Sequence, residues 1–176
     1  VAGVEKTFLT SLSQFGNLLK WKKLGVLDVA YDSFREIAIT QKDGKVLSVN
    51  LDLLNDDPDK RIQAFEGDKD ITTELDRGVV SAFIPMVGGL SAERWLEPRD
   101  NVMEALADPA LELNITGIQK EKGEDVTKRW TLQFAPTVRD MKDPSFYFGR
   151  LEGNPNPFLI NAATFDKLSG KHLLLK

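Results

Sequence analysis

Between Pro109 and Leu168 the sequence spells out four short strands, turn residues between them, and one closing helix. The first strand is Ala110 to Thr116, where Leu111, Leu113 and Ile115 alternate with Glu112, Asn114 and Thr116. Such two-residue alternation marks a strand with one buried and one wet face. A charged turn around Gly123, Glu121 to Asp125, leads to a second strand on which Trp130, Leu132 and Phe134 share a face. Pro136 ends it. Asp143-Pro144 opens a third strand containing Phe146, Tyr147, Phe148, Gly149 and Arg150. A stiff connection, Gly153 to Pro157, reaches the last strand, Phe158 to Ile160, and a short helical tail, Ala163 to Leu168. The rest of the chain reads as a cover or partial repeat of this unit.

Upstream, Phe8, Leu12, Phe15 and Leu19 recur at helical spacing, and Gly25 is a natural stop. Phe34 to Thr40 alternates as a strand. Asp43-Gly44 is a strong hairpin signal, and Val46, Val49 and Leu51 carry the return strand. Asn55 to Asp59 is a loop, and Arg61 to Phe65 a third short strand. Thr72 or Thr73 is the expected cap of the next helix, with Leu75, Val79, Phe83, Val87 and Leu90 as its core stripe. Pro85 should kink or end that helix about a turn before itself, and Gly88-Gly89 offers a break. Ser91 to Leu96 reads as a turn or short strand, and Asn101 to Leu106 as a helical turn.

Helical segments set between antiparallel strands, rather than alternating strictly with them, point to an α+β fold. The expectation is antiparallel sheets of short strands with a few packing helices. Three ranges are expected: 1–30, a strand end and helix; 31–108, a hairpin with a kinked helix; and 109–176, the four-strand unit with its helix. Val4, Leu9, Leu12 and Ser13 match Ile160, Phe165, Leu168 and Ser169 at the same mutual offsets. That echo adds the expectation of a partial tandem repeat, with the tail of a preceding unit at the start of the chain.

Composition narrows the function classes. With 41% hydrophobic and 28% charged residues the chain is ordinary globular protein. A net charge of -4 speaks against general nucleic-acid binding, which needs a concentrated basic surface. The absence of cysteine excludes disulfides, cysteine-based zinc sites and thiol catalysis. No apolar run approaches the roughly 20 residues of a membrane span. The sequence opens at Val1 without a basic, then apolar, leader, as a processed or trimmed piece of a longer protein would.

The order of features resembles a bacterial domain-of-unknown-function family, family 4340. The resemblance runs over about Val1 to Leu174. It rests on the strand hairpin Phe34 to Leu51, the helix Leu75 to Leu90, and the lead-in Leu106-Ala107-Asp108-Pro109 to the strand Ala110 to Thr116. It then follows the strand Trp130 to Phe134, the strand Tyr147 to Arg150, and the closing strand and helix, Phe158 to Leu168. The family occurs in tandem in membrane-anchored proteins near auxiliary components of gliding-motility-type ABC transport systems. The resemblance therefore implies an extracytoplasmic domain held by an anchor outside this sequence. It brings no catalytic residues to carry over. The break at Pro85 and Gly88-Gly89 departs from the family's uninterrupted helix.

Candidates for chemistry are few, and each has a plainer explanation. His172 is the only histidine and stands beside Leu173-Leu174-Leu175 with no neighbouring carboxylate. Asp56, Asp57 and Asp59 offer oxygen ligands, yet lack the central glycine and distant glutamate of a calcium loop, so a solvated turn is the reading. Gly88-Gly89 has no Lys-Ser or Lys-Thr after it and is not a phosphate loop. Lys20-Trp21-Lys22-Lys23 combines an aromatic with cations, as membrane-surface patches do, though Trp21 can equally sit in a core. Phe146 and Phe148 are expected on the core side of their strand, with Tyr147 half-exposed opposite. Asn114-Ile115-Thr116 matches the N-glycosylation pattern but lies within a strand.

No catalytic, cofactor-binding or metal-ligating residue is therefore assigned, and no cofactor is expected. The expected function is a non-enzymatic extracytoplasmic structural or interaction domain, binding protein partners or neighbouring units of its own chain. It binds no nucleic acid, and meets a membrane only through the absent anchor. The alternative is a small-ligand-binding or enzymatic domain whose site is assembled from dispersed acidic, Arg and Tyr residues. The strand ending at Ile160 is the expected open edge for partners, because Pro155 and Pro157 precede it.

Overall fold

A computed structural model describes residues 24–137 and 144–175. The N-terminal helix pattern, the Lys20 to Lys23 patch and the first half of the end-to-end echo lie outside the described residues. Nine strands form one sheet: β1 (Phe34–Gln41), β2 (Val46–Leu51), β3 (Ile62–Glu66), β4 (Lys69–Asp70), β5 (Arg94–Trp95), β6 (Leu111–Glu121), β7 (Glu124–Pro136), β8 (Phe146–Leu151) and β9 (Phe158–Asn161). Their order is β4-β3-β2-β1-β6-β7-β8-β9-β5, and every pairing is antiparallel. Among the described residues three helices accompany them: α1 (Arg77–Gly88), α2 (Asp100–Leu106) and α3 (Ala162–Leu168). The α+β class with an antiparallel sheet is as the sequence indicates. Ranges 31–108 and 109–176 both feed this sheet, joined where β1 pairs with β6.

Register explains the core. Ile37 faces Val49 on one side and Ile115 on the other; Ile115 faces Trp130, Leu113 faces Leu132, and Leu111 faces Phe134. Directly opposed residues point to the same side of a sheet, so one apolar row runs across the central strands. Helices α1 and α3 pack on that face through Val80, Phe83, Ile84, Val87 and Leu168. The opposite face carries Glu112, Asn114, Thr131 and Gln133, and among the described residues α2 is the helix that covers part of it. There Val102 and Leu106 bury Ala135 and pack on Phe148 and Leu96, making a second small core.

Several local expectations change. The helix after β4 starts at Arg77, not near Thr72; residues Thr72–Glu74 form a separate 3-10 turn. Asp76 is the N-cap, its carboxylate accepting from the Val79 N–H at 3.1 Å. The C-terminal tail decides this boundary. Asp76 N–H donates to the Leu173 carbonyl at 2.9 Å and Leu175 N–H to the Glu74 carbonyl at 2.6 Å, holding Leu75 and Asp76 extended between the 3-10 turn and the helix. The buried stripe is accordingly Val80, Phe83, Ile84 and Val87, with Val79 half-buried. Pro85 does not end the helix. It lies on the exposed side, where a helix tolerates an unpaired carbonyl because water reaches it, and Gly89 terminates the helix instead.

Aromatic placement on β8 departs from the expected one in part: Tyr147 and Phe148 are both half-buried, each against a different core, and only Phe146 is exposed. Tyr147 faces the main core, opposite Ile160 and Pro136, while Phe146 is 44% exposed and Phe148 joins the small core under α2. Gly149 is the reason a ring fits there. It follows Tyr147 on the core face, and a Cβ at that position would drive into the Phe158 ring lying across it. Phe158 in turn meets Phe134 and Trp95 edge-on at 6.1 and 5.5 Å between centroids. Nor is β9 an edge: β5 pairs along its outer side, Arg94 with Leu159 and Trp95 with Phe158.

Candidate functional site

The outer face of the sheet, beside α2, holds a depression of about 690 Å³. Its floor comes from outward positions on neighbouring strands: Glu112 and Asn114 of β6, Thr131 and Gln133 of β7, and Arg150 of β8. The register places Glu112 opposite Gln133, Asn114 opposite Thr131, and Gln133 opposite Arg150. Met103 of α2 forms one wall and Glu152 to Pro155 the other.

These side chains hold one another in a directed relay. Arg150 donates through Nη2 to Gln133 Oε1. Gln133 Nε2 donates to Glu112 Oε2 at 2.9 Å, and Asn114 Nδ2 donates to Glu112 Oε1 at 2.8 Å. Thr131 Oγ1 donates to Asn114 Oδ1 at 3.0 Å. Both carboxylate oxygens of Glu112 are therefore occupied by amides, and the guanidinium and the carboxylate are bridged by Gln133 rather than touching. Thr131 gives its proton to an amide oxygen, which cannot act as a base, so its hydroxyl is not activated as a nucleophile. The arrangement makes a rigid polar surface. Ligand sites are more commonly apolar concavities with a few convergent polar groups, whereas Met103 and Pro155 are the main apolar lining here.

A second feature stands apart from the depression. Strands β6 and β7 run past the rest of the sheet as a two-stranded ribbon. Strand β8 pairs with β7 only from Leu132 onward, and β1 pairs with β6 only as far as Gly117. Lys122 and Gly123 make the tip, both with positive φ, 53° and 91°, the geometry of a two-residue hairpin turn. Glu152 N–H caps the Thr131 carbonyl at 2.9 Å. Beyond that bond the outer edge of β7 from Glu124 to Trp130 carries no strand among the described residues.

The residues singled out from the sequence are scattered. Exposed His172 lies edge-on to Phe83, 6.1 Å between centroids. Asp57 caps the 3-10 turn Pro58–Lys60 by accepting from the Asp59 N–H at 3.0 Å. Asp59 pairs with Arg77 at 3.1 Å, and the same arginine donates to the Pro58 and Asp59 carbonyls, tying the loop to the start of α1. Gly88 packs against the Val29 backbone and the Phe34 ring. Only Asn114 belongs to the depression, as a relay member rather than a glycan carrier. The remaining floor residues show in the sequence as polar positions at two-residue spacing on separate strands, and register alone brings them together. Among the described residues no grouping of three or more His, Asp or Glu could hold a metal ion, and no helix is long and apolar enough to cross a membrane. No protein-family model, curated protein or solved structure matches the chain.

Proposed function

We propose that this domain is a non-enzymatic structural or interaction module of a larger membrane-anchored bacterial protein. It works outside the cytoplasm, in association with an ABC-type transport or gliding-motility system. Its partners are proteins or neighbouring units of its own polypeptide, and its anchor lies in a segment outside this sequence. The observation that carries the non-enzymatic reading is the relay from Arg150 to Glu112. The carboxylate is bound on both oxygens and the one hydroxyl is turned to an amide, so this depression presents shape and charge without a poised base or nucleophile. The setting outside the cytoplasm rests on the family resemblance.

Amide hydrogen exchange on the domain alone and within its longer polypeptide tests this. A module that docks gains protection over one contiguous surface, at low and high salt alike. Identical exchange in both contexts would overturn the reading.

The depression also favours a second reading, a small-ligand or enzymatic site built from Glu112, Arg150 and Glu152. Neither tyrosine lines it. Thermal shift with acetate, phosphate and glucose decides: a saturable rise that is lost in Arg150→Met supports a ligand site, and no rise removes it.

A further inference from the structure

The open edge of β7 is longer than the strands at the two ends of the sheet. At the two ends of the sheet the edge strands, β4 and β5, are two residues long, too short to template much pairing. The ribbon edge is long and its backbone direction is set. Thr131 and Phe134 fix the alternation: the Thr131 carbonyl is capped from the β8 side and the Phe134 carbonyl accepts from Ala110 on the β6 side. Odd-numbered residues of β7 therefore turn their N–H and C=O groups outward. Along the ribbon these are Asp125, Thr127 and Arg129, all exposed, with no hydrogen bond or ion pair to any described residue.

Charge on an edge strand ordinarily repels a second copy. Here the two outward charges are opposite and symmetric about Thr127. When two copies meet edge to edge, the two-fold axis stands perpendicular to the sheet, and opposed residues must share a face. Centring the axis on Thr127 brings Asp125 of each copy against Arg129 of the other. Within its own ribbon Asp125 already faces Lys120 of β6, so each row across the junction reads Lys120, Asp125, Arg129 with alternating sign. On the other side of the ribbon, Lys128 is held by Glu121 in its own chain, and its stem is free to lie on Val126 of the second copy.

We infer that the β6–β7 ribbon is a self-association surface: two copies of this chain pair antiparallel along β7, Thr127 against Thr127, with reciprocal Asp125–Arg129 ion pairs. Alternating antiparallel geometry gives the junction roughly six backbone hydrogen bonds. The contact is small, so the dimer is weak and concentration-dependent. This deepens the interaction-module reading, yet it stands on the ribbon alone. Its failure would leave docking to other proteins untouched, because the hydrogen-exchange comparison reads that separately.

Sedimentation velocity on the full chain over a concentration series is the test. The wild type is expected to shift toward dimer with rising concentration, and Asp125, Thr127 and Arg129 to gain exchange protection with it. Thr127→Pro removes an outward N–H without touching the β6 ladder and should abolish the shift. Arg129→Asp should weaken association at least about tenfold, the equivalent of about 1.4 kcal/mol. The exchange Asp125→Arg with Arg129→Asp should restore it. Melting temperatures near wild type establish that each variant is folded. A wild type that stays monomeric overturns the proposal. So does a dimer indifferent to Thr127→Pro, and so does a charge exchange that fails to restore pairing in folded protein.

Discussion

The ring of Tyr147 lies flat on that of Phe165, with 3.6 Å between centroids and 4° between planes. The pair joins β8 to α3 on the core face, and Phe165 also meets Phe134 edge-on at 6.5 Å. Aromatic pairs contribute about 0.5–1.5 kcal/mol beyond area burial. A double-mutant cycle with Tyr147→Leu and Phe165→Leu, followed by urea unfolding, should return a coupling energy in that range. Additive single-variant losses would mean that the stack only fills space.

Depth along β7 sets the next expectation. From the sequence, Trp130, Leu132 and Phe134 would all be largely buried on a central strand. The strand is central where β8 flanks it, and Leu132 and Phe134 are 0% exposed, but Trp130 is only half-buried, at the root of the ribbon. Phe134→Ala should therefore cost about 3–5 kcal/mol, the range for a fully buried aromatic. Trp130→Ala should cost clearly less, because part of its ring is already wet. Equal losses for the two in denaturant melts would contradict this depth order.

What the sequence made legible was the local alternation. The β1–β2 hairpin, the inward faces of β6 and β7, and the closing strand and helix all follow from periods of two and 3.6 and from turn residues. What it did not show depends on distant partners. Alternation separates Tyr147 from Phe146 and Phe148, yet cannot say which side is core; the pairing of Tyr147 with Ile160 decides it. Thr72 and Asp76 can each cap a helix, and the bonds from Leu173 and Leu175 fix the start at Asp76. The edge expected at Ile160 is closed by Arg94 and Trp95, which arrive from far upstream. The depression is a product of register, since Glu112, Gln133 and Arg150 become neighbours only once three strands align.

Asp70 gives a prediction in pH. The Thr72 hydroxyl, and then the Thr72 backbone N–H at 2.8 Å, stabilise its carboxylate and hold its pKa below the ordinary value. A depressed pKa means that the unfolded chain binds the proton more readily. The group's contribution is therefore complete above the unfolded pKa, about 3.9 for Asp, and is lost as pH falls through the folded value. Asp70→Asn should narrow the stability difference between neutral and strongly acidic pH, and Thr72→Val should raise the Asp70 pKa in an NMR titration. An unmoved titration would show that Thr72 does not hold the carboxylate.

Glu112 separates a structural relay from a binding site by the sign of a stability change. If the relay serves to hold the outer face rigid, removing its central acceptor strands the amides of Asn114 and Gln133, which both donate to it. Hydrogen bonds to a charged acceptor are worth about 1.5–3 kcal/mol when buried. Half-burial of Glu112 reduces that, because water can replace part of the loss. Glu112→Ala should therefore destabilise by about 1 kcal/mol or somewhat more, and Glu112→Gln by less, since one amide can still donate to its carbonyl oxygen. Residues kept for binding or catalysis behave differently: their charge is held at a cost to the fold, and replacing them commonly stabilises. Urea unfolding of both variants reads the sign directly. A loss of stability in both supports the non-enzymatic surface, whereas a more stable Glu112→Ala protein would mark the depression as a site held ready for a ligand.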